Sequence, residues 1–294
     1  MTPEFGLIVG GILGDGGIDK RTKRPFYYSS EPNQINGFKK AVLKTFGNAD
    51  FSFHKSIADV PCIMFPKLIG EILCQVGLEG GNKNYKHFMG IPDIFVENPK
   101  NPATVNLIRR LFDDDGTVVN NHNNRCVSLV SPTIFKENEQ IVQPKVLLNL
   151  KEIFKKFGIE SHICDYNISK KENGEIAHYW ELRIRSKENL QKFYSQIGFG
   201  LSRKQVKLKK VLKRYVEGLE FYPRFHANEN YLAIIKKMQN VGVNVSSNSL
   251  AKACRRNGRH IRQVLLDLVK MNLVKRELNG NKYHYSLVGV AADG

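Results

Sequence analysis

The spacing of apolar and polar residues changes period several times along the chain, and the changes recur in one order. Near the N-terminus the run Phe5-Gly-Leu-Ile-Val-Gly-Gly-Ile-Leu-Gly closes on Asp15-Gly16 and predicts a short helix. Val105-Asn-Leu-Ile-Arg-Arg-Leu-Phe-Asp-Asp closes on Asp115-Gly116 in the same way. Each is followed by a β-rich run opened by arginine, Arg24-Pro-Phe-Tyr-Tyr-Ser-Ser and Arg125-Cys-Val-Ser-Leu-Val-Ser. An amphipathic helix then ends in Phe-Gly, at Gly47 and Gly158, where glycine takes the positive φ of a helix C-terminus cheaply. A second strand pair comes next: the alternating His178-Tyr-Trp-Glu-Leu-Arg-Ile-Arg has Val60-Pro-Cys-Ile-Met-Phe as its counterpart. A last helix ends at Gly77 and at Gly198, and a lysine stands six positions beyond each, Lys83 and Lys204.

These landmarks predict an α+β fold of two αββαββα repeats, residues 1–98 and 99–217, related by an internal pseudo-two-fold. The Pro- and Asn-rich residues 97–103 join the copies. After a basic helix over 203–215 and a linker over 218–228, the pattern changes. It becomes a helix (229–239), a short strand (243–245), a helix capped by Ser246 or Ser247, and a turn at Asn257-Gly258. A helix over 259–271 follows, with Ile261, Val264, Leu265 and Leu268 on one face, and then two strands flanking Asn279-Gly280. That order is the one of a winged helix-turn-helix, over residues 228–289.

Charge gives the first indication of a partner. The chain has 45 Lys+Arg against 28 Asp+Glu, a net +17, and such a field captures polyanions. Residues 225–294 hold 11 of the cations and 4 of the acids, so both the repeat region and the C-terminal region are basic. The five cysteines are scattered without a C-x-x-C pair, which argues against a disulfide framework or a thiolate zinc site and for a reducing cytoplasm. The apolar N-terminal run is too short to span a bilayer and no basic segment precedes it, so neither secretion nor a membrane anchor is expected.

The Asp-Gly helices carry the chemistry. Glycines at 10, 11 and 14 suit a close helix–helix seam, and an aspartate at its C-terminal end meets the negative end of the helix dipole. A carboxylate is unfavourable there without a cation. Two such helices about a pseudo-two-fold bring Asp15 and Asp115 together, an oxygen-rich site suited to Mg²⁺, water and phosphate. Asp113 and Asp114 read as solvated charges at the helix end, and Arg110 reads as an obstacle to the seam unless it reaches an acid such as Asp113.

Ile8-Val-Gly-Gly-Ile-Leu-Gly-Asp-Gly and Ile108-Arg-Arg-Leu-Phe-Asp-Asp-Asp-Gly, with the repeat around them, resemble the paired signature of the LAGLIDADG homing endonucleases over roughly residues 5–215. The resemblance implies a monomer whose β-saddle lies in the major groove of double-stranded DNA. It also implies divalent metal, Mg²⁺ with Mn²⁺ as a substitute, at Asp15 and Asp115 and the adjoining Gly14 and Asp114, cutting both strands. Lys83 and Lys204 are the matched basic residues expected to stabilise phosphate charge. Arg24, Tyr28, Arg125, Arg183 and Arg185 are expected DNA contacts on the strands. In the winged helix, Arg259, His260, Arg262 and Gln263 are placed toward bases, Arg255 and Arg256 on phosphate, and Lys282 on the wing. The arrangement is also similar to that of WhiA-type regulators, which makes a nuclease-inactive DNA-binding transcription regulator the alternative; an RNA maturase is a third. The Met start and the Ala-Asp-Gly end read as a free-standing protein rather than an intein, cytoplasmic and nucleoid-associated in a prokaryote.

Overall fold

A computed structural model describes all residues except 57, 86–87, 122–123, 137–138, 214–226, 255 and 289–294. The chain divides into two units, Met1–Tyr215 and Val216–Gly294. In the first, α1 (Pro3–Leu13), β1 (Gly16–Ile18), β2 (Pro25–Tyr28), α2 (Pro32–Phe46), β3 (Ser52–Lys55), β4 (Pro61–Met64) and α3 (Lys67–Gln75) form one set. A 3-10 turn (Lys83–Tyr85) and α4 (Asp93–Glu97) lead to the second set. This comprises α5 (Pro102–Asp114), β5 (Gly116–Asn120), β6 (Arg125–Phe135), α6 (Lys145–Lys156), β7 (Ser161–Lys170), β8 (Ile176–Ile184) and α7 (Lys187–Gln196), followed by α8 (Ser202–Lys213). The αββαββα order is present twice.

The sheets repeat as well. Both are four-stranded and antiparallel, in the orders β1-β2-β4-β3 and β5-β6-β8-β7, so each has its second and fourth strands at the centre. Strand alternation puts Tyr27 and Ile63 of the first sheet, and Val127, Leu129, Leu182 and Ile184 of the second, into one core shared with the helices. Phe112 anchors the second repeat, packing against Phe154, Phe193 and Phe199.

The motif helices start alike. Thr2 Oγ1 accepts from the Phe5 amide and Asn101 Oδ1 from that of Ala103, each ahead of a proline at the first helical position. The two helices then pack backbone to backbone. A Cβ on Gly6 would lie 1.8 Å from the Ala103 carbonyl oxygen, and one on Gly10 2.4 Å from that of Leu107. Gly14 faces Asp114 on the same stripe, whereas Gly11 turns toward Phe38 of α2. The seam glycines are therefore 6, 10 and 14, and Gly11 is not one of them.

The second unit holds α9 (Ala227–Asn240), α10 (Ser247–Ala253), α11 (Gly258–Lys270) and the antiparallel pair β9 (Val274–Asn279) and β10 (Lys282–Leu287). Its core comprises Tyr231, Ile235, Leu250, Ile261, Leu265, Leu268, Val274 and Tyr285. Ser246 caps α10 in a reciprocal box with Ser249. Two expectations shift. Residues 243–245 form no strand, although the Val245 carbonyl accepts from the Tyr285 amide at 2.9 Å. The hairpin turn is Gly280-Asn281, because Asn279 is already paired with Lys282, and Gly280 supplies the positive φ of +59°. Among the described residues no helix is long and apolar enough to cross a membrane.

Candidate metal and phosphate centre

The seam ends in a crowded group of charges. Asp15 and Asp115 follow their helices directly, and both stay exposed. Each motif helix leaves carbonyls unpaired at its C-terminal end. Lys83 fills that gap in the first repeat: its ammonium donates to the carbonyls of Ile12 (3.3 Å), Leu13 (3.1 Å) and Gly14. Lys204 does the same in the second, donating to Phe112 (3.0 Å), Asp113 (2.5 Å) and Asp114 (3.4 Å). The two lysines predicted from their matched spacing thus perform one matched task. All three N–H bonds of each are directed at carbonyls, so they reach the aspartates through their field.

Burial lowers the pKa of both lysines, against the pull of Asp15, Asp114 and Asp115 on Lys83 and of Asp113, Asp114 and Asp115 on Lys204. The acids move the other way. Desolvation raises Asp15, opposed by Lys83, Arg110 and Lys204. Asp115 is pushed up to about 6, first by desolvation and then by the charge of Asp15, with Lys83 and Lys204 opposing. A cleft of about 240 Å³, lined by Gly14, Lys83, Leu111, Asp115, Leu129 and Thr133 among others, opens beside this pair.

Asp113 and Asp114 are not solvated charges. Asp113 is buried and accepts from the amides of Gly200 and Leu201, both at 3.0 Å, which fixes the turn into α8 and so places Lys204. The Asp114 side chain is only 2% exposed. It accepts the Tyr27 hydroxyl at 2.8 Å, pairs with Arg110 Nε at 3.4 Å, and meets the Asp15 amide at 3.4 Å. Desolvation pushes it to about 7, with Arg110 opposing and Asp15 adding to the rise. Its Oδ1 thus takes the Tyr27 hydroxyl and Arg110 while Oδ2 meets the Asp15 amide, and the Gly14 carbonyl accepts from the Lys83 ammonium.

Arg110 does not open the seam. The matched position in the first helix is Gly10, whose missing side chain leaves room for it. Its partner is Asp114, four residues on, rather than Asp113, and its guanidinium lies over the Tyr27 ring at 4.3 Å. Tyr27, which reads as an ordinary sheet residue, is the member of this group that sequence reasoning missed. The Arg110–Asp114 spacing was the available signal.

Among the strand residues, alternation separates Arg24, Tyr28, Arg183 and Arg185 from the core-facing positions and places them on the open faces of their sheets. Arg24 is tied to the Phe65 carbonyl and Ser52 Oγ, and Arg183 to Glu181, while Arg185 is exposed. Arg125 shares its face with Val127 and Leu129, toward the helices, which sets it apart from the other four. In the second unit Arg256, Arg259, Arg262, Gln263 and Lys282 are exposed. His260 bonds the Tyr231 hydroxyl at 3.1 Å and Gln263 the Asp267 carboxylate at 3.1 Å. Arg255 lies outside the described residues, as does most of the expected linker.

Residues 103–198 match the model of a family described as LAGLIDADG-like domain. The second repeat is thus similar to a LAGLIDADG-like domain. The match covers the second repeat from the start of α5 to the end of α7, and the element order and sheet order of the first repeat are the same. The two four-stranded sheets are consistent with the two-repeat LAGLIDADG saddle. An uncharacterised protein of Methanocaldococcus jannaschii is 25% identical over 230 residues, 72% of each chain. Among solved structures, the homing endonuclease I-DmoI in complex with DNA and Ca is similar over 66% of this chain and 88% of its own, with 11% identity and a TM-score of 0.43. Full-length DUF199/WhiA from Thermotoga maritima is similar over 92% of both chains, with 14% identity and a TM-score of 0.43.

Proposed function

We propose that this protein binds double-stranded DNA site-specifically and hydrolyses a phosphodiester bond in each strand at the Asp15/Asp115 centre. The observation that carries this reading is the convergence of two exposed aspartates at one seam, each beside a lysine-capped helix end. The residues fit a divalent metal of the Mg²⁺ or Mn²⁺ class: Asp15 and Asp115 offer open oxygen donors, and burial raises the pKa of both against the pull of Lys83 and Lys204. Among the described residues no group of three His, Cys, Asp or Glu side chains gathers. Two carboxylates therefore leave the remaining positions to water and phosphate. A bound metal would supply Lewis acidity and a water of lowered pKa.

The chain's own residues do the rest. Asp15 and Asp115 hold the negative charge at the seam. Lys83 and Lys204 fix the carbonyls behind them and keep positive charge within reach of a phosphate. Asp114, held by Tyr27 and Arg110, steadies the Asp15 backbone, and Asp113 holds the α8 turn that carries Lys204. Arg24, Tyr28, Arg183 and Arg185 belong to the open sheet faces that would meet the duplex. Residues 1–98 and 99–217 serve as the two halves, and residues 228–289 act as a winged helix-turn-helix whose α11 enters DNA with Arg259, Arg262 and Gln263.

Cleavage of a randomised duplex library in Mg²⁺ or Mn²⁺ tests the proposal, comparing wild type with Asp15→Asn/Asp115→Asn. Discrete double-strand cuts, lost in the variant, are expected. Selective binding without any cut would move the assignment to a nuclease-inactive regulator, a reading favoured by the separate C-terminal unit with its exposed α11 arginines.

A further inference from the structure

The helix α8 has a composition that a solvated surface helix does not need. Its 12 residues include six cations, Arg203, Lys204, Lys207, Lys209, Lys210 and Lys213, and no acid. The face turned inward is Lys204, Leu208 and Val211. The outer face exposes the other five cations. Like charges three and four residues apart repel, and here they recur at 203/207, 207/210, 209/213 and 210/213. Helices whose charges are merely solvated usually interleave the two signs. Arg203 pairs with Glu31 at 3.1 Å; no ion pair with an acid is found for Lys207, Lys209, Lys210 or Lys213 among the described residues.

The helix is also anchored where it matters. Asp113 grips the amides of Gly200 and Leu201 immediately before it, and Lys204 in its first turn caps the helix that ends at Asp115. The inner face of α8 is therefore held at the aspartate pair through Lys204, and the exposed cations run along its other side over about 18 Å. The repulsion stored on that face is relieved by a ligand carrying a regular row of negative charges.

We infer that the exposed face of α8 is a second contact surface for duplex DNA, binding sugar–phosphate backbone through Lys207, Lys209, Lys210 and Lys213, apart from both the sheet faces and the C-terminal unit. It carries no sequence information; it adds affinity and register. The inference rests on the reading of the chain as a DNA-binding protein and does not depend on cleavage.

The experiment uses the full chain, a short fluorescein-labelled duplex of random sequence, Ca²⁺, and a series of salt concentrations. Wild type is compared with Lys207→Ala/Lys209→Ala/Lys210→Ala and with Lys151→Ala/Lys155→Ala/Lys156→Ala. The second variant removes the same charge from the exposed side of α6. Circular dichroism establishes that both are folded. Each phosphate left without its lysine makes the slope of log K against log salt shallower by about 0.9, so the α8 variant is expected to lose roughly 2 to 3 and the α6 variant far less. Equal slopes for the two variants would overturn the inference and leave the α8 charges solvated. Loss on an RNA duplex but not on DNA would also overturn it and name RNA as the partner. A wild-type protein that binds no duplex at all would remove this inference together with the DNA-binding reading. Binding that depends on α8, together with no cut of the randomised library in Mg²⁺ or Mn²⁺, would remove only the nuclease.

Discussion

Tyr27, on β2 in the first sheet, donates its hydroxyl to Asp114, at the end of the second repeat's motif helix, at 2.8 Å. Burial and the Asp114 charge push the phenol far above its usual range, so it remains a donor. Arg110 completes the pair from the other side, and the same carboxylate meets the Asp15 amide. Each repeat thus positions the end of the other's motif helix. Replacing Tyr27 with Phe leaves a buried carboxylate short of one bond and is expected to destabilise the fold by about 1–3 kcal/mol. Urea denaturation measures this; an unchanged midpoint would mean that Asp114 is satisfied without the hydroxyl.

The acids give the metal-free protein a pH dependence of definite sign. Folded Asp114 and Asp115 titrate at about 7 and about 6, above the ordinary carboxylate value of 3.8. The folded chain therefore holds more protons than the unfolded chain between those limits. Their contribution is fully present below pH 3.8 and is lost as pH rises through 6 to 7. Thermal unfolding without metal should show this, and Asp115→Asn should make the fall shallower between pH 3.8 and about 6 while leaving the last part, up to about 7, to Asp114. A Tm that climbs over the same range because of these groups would contradict the assignment.

The helix seam tolerates no added carbon at its closest points. Gly6→Ala places a methyl group 1.8 Å from the Ala103 carbonyl oxygen, which only a backbone shift can accommodate. A cost of about 1–3 kcal/mol is expected, together with reduced cleavage, since the same shift moves Asp15 relative to Asp115. Gly37→Ala on α2 is the control, because its added Cβ meets nothing within 4 Å.

Lys204→Met strips the cap from three buried carbonyls while keeping the aliphatic stem. Stability should fall by about 1–3 kcal/mol, and divalent-metal affinity, read by calorimetry, should change as the neighbouring positive charge disappears. If stability falls and metal affinity is untouched, Lys204 is a cap alone.

In the second unit, Arg256→Ala should weaken binding to all duplexes alike and make the salt slope shallower by about 0.9. A change of sequence preference with affinity intact would reassign Arg256 to base contact.

Much of this was legible in the sequence because a repeat is legible. The two Asp-Gly ends, the Phe-Gly helix stops and the lysines six residues past Gly77 and Gly198 are local signals. They preserve their order whatever the surrounding packing. The buried acids were not legible. Asp113 and Asp114 have the local pattern of solvated helix-end charges; apart from Arg110, four residues before Asp114, their partners are the amides of residues 15, 200 and 201 and the Tyr27 hydroxyl, all distant in sequence. The hairpin turn slipped by one residue for a related reason: Asn279-Gly280 and Gly280-Asn281 both satisfy turn chemistry, and cross-strand pairing decides between them.

The glycine stripe at the seam is one-sided, and that makes the two halves unlike in a way their common shape conceals. Where the first helix has Gly10 and Gly14, the second has Arg110 and Asp114. Two first halves set against each other would leave a gap along the seam, and two second halves would press arginine on arginine and aspartate on aspartate. Were the chain cut at residues 98–101 and the pieces expressed apart, each should seek only the other. The fused copies have become lock and key, and neither can any longer close on its own image.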